Sequence, residues 1–125
     1  VIGKILKIAG FQEGAQDRKA KLYRDLMRHE ARIGGGVFGP VPEGVRREFF
    51  CLDKHTWVWH EEWTDKSGKR QIRTTRYDVR PNGIVKAQDG QHYQVVSDSE
   101  AFRLLDAARE YQKRVNKELY KAFVA

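Results

Sequence analysis

Proline and cysteine are scarce in this sequence of 125 residues, with three of the first and one of the second, and long apolar runs are missing altogether. No stretch approaches the roughly 18 consecutive apolar residues that a membrane span needs, which excludes an integral membrane helix. The single Cys51 excludes an intrachain disulfide and suits a reducing compartment, so a cytoplasmic setting is the expectation. Few prolines and an aromatic fraction of 11% argue against a disordered chain. Val1 is not an initiator methionine, compatible with a chain from which a targeting segment has been trimmed.

Recognisable chemistry is equally sparse. Metal ligands would have to come from Cys51, His29, His55, His60 and His92, and no two of them have a chelating spacing. The run Gly34-Gly35-Gly36 lacks the Gly-Lys-Ser/Thr ending of a phosphate loop and follows a helical stretch instead of preceding one. Cys51 has no local signature of a nucleophile. No metal, cofactor or catalytic residue is expected.

What the chain does have is a band of aromatics on alternating positions. Within Thr56 to Thr64, Trp57, Trp59 and Trp63 share one strand face. Strands are predicted at Arg46 to Leu52, Thr56 to Thr64, Lys69 to Arg80, Ile84 to Ala87 and Gln91 to Val96. Three of the turns between them, Asp65 to Lys69, Arg80 to Ile84 and Ala87 to Gln91, suit a three-residue loop with glycine in the left-handed position. That form pairs Trp57 with Tyr77, Glu61 with Arg73, Val79 with Val85 and Val85 with Tyr93. One face then gathers the tryptophans with Tyr77, Val79, Val85, Ala87, Tyr93 and Val95, and Lys86, His92 and Gln94 fall on the other.

Helical patterns flank this meander. Gln16 to Ile33 places Leu22, Leu26 and Ile33 along one side, and the glycine run ends it. Ser97-Asp98-Ser99-Glu100 reads as a capping box opening a helix that runs to Lys121. Its predicted apolar stripe is Ala101, Leu105, Ala108, Gln112, Val115 and Leu119, flanked by Phe102, Leu104, Tyr111, Tyr120 and Phe123. The fold class is therefore α+β: an N-terminal helix, a five-stranded antiparallel meander and a long C-terminal helix, with both helices on the tryptophan face. Residues 1–15 form an amphipathic N-terminal segment and 16–125 a single domain.

The functional expectation is a non-enzymatic protein-interaction or assembly module, with a nucleic-acid-binding accessory protein as the alternative. Two apolar surfaces carry the first reading: Ile2, Ile5 and Leu6 in the opening segment, and Leu119, Tyr120 and Phe123 on an overhanging helix end. Self-association or a protein partner would use them, and a membrane surface is a further partner for residues 1–11. The net charge of +7 supports the alternative, with 8 basic against 4 acidic residues in the first 33. Its phosphate contacts would be Arg18, Lys19, Lys21, Arg24, Arg28 and Arg32. A third cluster, His60, Glu62 and Arg76, shares the polar sheet face and offers imidazole, carboxylate and guanidinium together.

Overall fold

The computed structural model describes residues 16–121. The readings placed on residues 1–15, among them Ile2, Ile5 and Leu6, and on Phe123 lie outside the described residues. Helix α1 (Gln16–Gly35) is followed by strands β1 (Arg46–Asp53), β2 (Thr56–Thr64), β3 (Arg70–Arg80), β4 (Gly83–Gln88) and β5 (Gln94–Val95). Helix α2 (Asp98–Val115) continues into one π-helical turn, Asn116–Tyr120. The strands form a single antiparallel sheet in sequence order. No helix among the described residues is long and apolar enough to cross a membrane.

The aromatic band organises the core, with Phe49 of β1 at its centre. Phe49 is fully buried opposite Trp59. Its ring stacks on Trp57 at 5.2 Å, and Tyr111 of α2 stands edge-on to both. Leu26 of α1 and Leu104, Ala107 and Val115 of α2 close over this group. Burying side chains of this size contributes about 2 kcal/mol each, which offsets the ordering of the elements that carry them. Phe50, pointing the other way, pairs with Val58 and is only half-buried.

The glycine run does more than end a helix. Gly34 and Gly35 belong to α1, and a methyl group on them would overlap the backbone carbonyls of Phe49 and Arg47. Hydrogen side chains are thus what let α1 lie directly on the edge strand.

The first hairpin turn has the predicted form. The Asp65 amide donates to the Lys69 carbonyl, Gly68 is left-handed at φ 84°, and Trp57 faces Tyr77 while Glu61 faces Arg73. The next two turns differ from expectation. Arg80 pairs with Gly83 and Val79 with Ile84, so only Pro81 and Asn82 bridge β3 and β4. The slip of one residue turns β4 over: Lys86 and Gln88 enter the helix side, and Val85 and Ala87 face outward. Val85 then meets Val95 instead of Tyr93, and Val95 is 81% exposed.

The stripe of α2 is likewise rotated from the predicted one. Leu104, Ala107, Tyr111 and Val115 are buried, whereas Phe102, Leu105 and Gln112 are exposed. The overhanging end does not project. Val115 and Tyr120 are each 1% exposed, and Leu119 packs half-buried against the core. The π turn is the cause. In a continuous α-helix Tyr120 would sit about 140° round the axis from Val115. The wider turn brings it back to the buried face.

Candidate functional site: a cleft between sheet and helix

Turning β4 over brings Lys86 and Gln88 to a cleft on the helix side of the sheet. A half-open cleft of about 420 Å³ lies between β2–β4 and the start of α2. Trp59, Thr75, Tyr77 and Gln88 form its floor, Phe38 one wall, and Arg103 and Leu104 of α2 the opposite wall. Phe38 stands edge-on to Trp59 on the connector between α1 and β1. That connector is tied at both ends, by Arg114 Nη1 donating to the Gly36 carbonyl at 2.8 Å and Arg70 Nη1 donating to that of Gly44 at 3.2 Å.

The polar groups of the cleft are mostly paired with one another. Lys86 Nζ donates to both carboxylate oxygens of Glu100, at 3.0 and 2.9 Å, and the Tyr77 hydroxyl donates to Glu100 Oε2 at 3.0 Å. Burial pushes the Glu100 carboxyl up, but the Lys86 and Tyr77 hydrogen bonds outweigh it and leave the group below its usual range. The same burial, with the carboxylate beside it, drives the Tyr77 hydroxyl well above the ordinary tyrosine value. Gln88 Nε2 donates to the hydroxyl of Thr75, which is 3% exposed. Ser97 accepts from the Glu100 amide at 3.3 Å, as a capping box requires. The Glu100 side chain, however, turns into the cleft, where a cation is available.

At the other end, Glu61 lies between Arg47 and Arg73 in the strand register and pairs with Arg47 Nε at 3.3 Å. Arg73 instead stacks 5.5 Å over the Trp63 ring. Among the described residues neither Arg73 nor Arg103 makes an ion pair of its own, and both are exposed.

The residues singled out in the sequence lie elsewhere. On the outer face His60 Nε2 meets Glu62 Oε2 at 2.8 Å, and Nδ1 meets Thr74 Oγ1 at 2.7 Å. The His60 contact holds Glu62 below the usual carboxylate range against the opposing effect of burial, helped by Arg46 and Arg70 at 3.5 and 3.7 Å. Arg76 is not part of this ladder. It is exposed in the row of Val58 and Ala87. Arg18, Lys19, Lys21, Arg24, Arg28 and Arg32 are all exposed on α1, with Asp25 paired to Lys21 at 3.1 Å and Arg28 at 4.0 Å. Tyr120 is engaged internally, donating to Glu30 Oε1 at 2.7 Å while Tyr111 donates to Oε2 at 2.9 Å. Cys51 is half-buried, and burial followed by the charge of Asp53 pushes its thiol up, which makes it a poor nucleophile. No group of three metal-ligating side chains occurs among the described residues.

No protein family, curated protein or solved structure matches the chain. The sequence pattern conceals the cleft because it puts Lys86 on the opposite face and Gln88 in the turn between Ala87 and Gln91.

Proposed function

We propose that this protein is a non-enzymatic binding module and that the cleft between β2–β4 and α2 is where it receives its partner or ligand. The observation that carries this reading is the cleft itself: 420 Å³ of half-open space floored by Trp59 and Tyr77, its polar groups held in place by mutual hydrogen bonds. Its volume lies in the range of ligand pockets, and its lining is more polar than most, with seven of eleven residues polar or charged. Binding is favoured over catalysis because the lining holds no histidine or cysteine, Lys86 is neutralised by Glu100, and the Thr75 hydroxyl is buried. An NMR screen of the ¹⁵N-labelled chain against a mixed fragment set tests it. Hits should cluster on Trp59, Thr75 and Gln88; hits confined to other surfaces would refute it.

A second reading has its own observation. Arg18, Lys21, Arg24, Arg28 and Arg32 fall within an arc of about 120° along about 21 Å of α1, a basic row interrupted by Asp17 and by Asp25, which pairs with Lys21 and Arg28. Lys19 lies off that arc. Fluorescence anisotropy with labelled single- and double-stranded oligonucleotides should then give binding that weakens steeply with salt, and no binding at low salt would remove this reading. A protein partner or second copy at the chain end would have to use Leu119 and residues beyond it, because Tyr120 is buried.

A further inference from the structure

We infer that the ligand of the cleft is an aromatic carboxylate, either a free aromatic acid or the aromatic carboxyl-terminal residue of a peptide. The inference rests on the reading of the cleft as the binding site and goes on to name the chemistry it selects. The ionic groups of the lining are Arg73, Lys86 and Arg103 against Glu61 and Glu100, which leaves one positive charge in excess. Lys86 is spent on Glu100, and Glu61 on Arg47. With Arg47, which lies outside the lining, counted against Glu61, the excess is two positive charges on the two guanidinium groups, one from the sheet and one from α2, the second of which also acts on Glu100.

Arg73 lies over the Trp63 ring at 5.5 Å and, among the described residues, forms no ion pair with a carboxylate. A guanidinium fork matches a carboxylate in a bidentate manner. Trp59, Phe38 and Tyr77 offer aromatic contact to a ring, and the cleft has room for one together with its substituents.

The test is a ¹H–¹⁵N titration of the full chain with N-acetyl-phenylalanine, with its carboxamide, and with a tetrapeptide ending in phenylalanine and a free carboxyl group. The acid should move the Trp59 indole and Thr75 amide signals and bind at least tenfold more tightly than the carboxamide. In Arg73→Gln and in Arg103→Gln that preference should narrow to about threefold or less. Amide dispersion in the same spectra reports whether the variants are folded. Should the carboxamide bind as tightly as the acid, the carboxylate inference fails while the cleft remains a binding site. Should neither compound nor the tetrapeptide move the cleft signals, the aromatic-carboxylate inference fails, and the fragment screen alone decides whether the cleft binds. Tighter binding of the tetrapeptide than of the free acid assigns the ligand to a peptide terminus, and the reverse order to a small acid; either supports the shared chemistry.

Discussion

Glu30 and Glu100 are both helical glutamates that accept hydrogen bonds from tyrosine, and they stand in opposite circumstances. Glu30 is 6% exposed, sealed at the junction of α1, α2 and the π turn, with the Tyr111 and Tyr120 hydroxyls on its two oxygens. Glu100 sits at the edge of a half-open cleft with Tyr77 on one oxygen and Lys86 on both. Tyrosine partners alone thus do not mark a functional carboxyl group. What separates the two is space: around Glu30 there is none for a ligand, and beside Glu100 there is room for one. The first locks two helices together, and the second fixes a lysine and so sets the charge of the cleft.

The largest effect is expected where the sealed junction is broken. Glu30→Ala leaves two tyrosine hydroxyls without their acceptor and should cost about 3 kcal/mol in urea denaturation, since buried donors that lose partners are costly. Tyr120→Phe removes one of the two bonds and should cost about 1.5 kcal/mol. A Tyr120→Phe protein as stable as the wild type would mean that the π turn is held by something else. At the cleft, Glu100→Gln should cost only about 1 kcal/mol at neutral pH, in keeping with a pair near the surface. That difference has a pH signature. Because the Glu100 carboxyl lies below its ordinary 4.5, its stabilisation is complete above that pH and lost as pH falls below it, so the two denaturation curves should converge in acid.

A smaller change is expected at the alkaline end. Burial, with Glu30 beside them, raises Tyr111 and Tyr120 well above the ordinary value of 10, so their contribution is complete below pH 10 and declines as pH rises further. Tyrosinate absorbance of the Glu30 junction should appear together with loss of the fold, not before it. Early, fold-independent ionisation would show that the junction is less sealed than Glu100.

Much of the architecture was legible from residue pattern. The Asp65 to Lys69 turn is specified by Gly68 and by Asp65, whose carboxylate accepts from Ser67, Lys69 and Gln71; the Ser67 and Gln71 side chains lead in lowering it to about 2. A turn so strongly determined carries its register into both strands. Pro81-Asn82-Gly83 admitted more than one loop length, and apolar alternation decided wrongly between them. It favoured Val85 and Ala87 for the interior, whereas the structure satisfies Lys86 with Glu100 and Gln88 with Thr75 there. Those partners lie 14 and 13 residues away, beyond the reach of a periodicity argument. The candidate site inherited that error, because its polar residues converge only in the observed register. Tyr120 was misplaced for a different reason, since a period of 3.6 residues has no provision for a π turn.

That π turn also bears on how the chain tolerates changes in length. From Val115 to Tyr120 the helix travels five residues to cover an angle that an α-helical path covers in four. It holds one residue in surplus. Deleting a single exposed position between them, such as Lys117, would let the last turn regularise while Tyr120 still reached Glu30. Inserting one there would swing Tyr120 off the buried face and leave a hole at the junction it now fills. The end of α2 is therefore lenient toward shortening and strict toward lengthening.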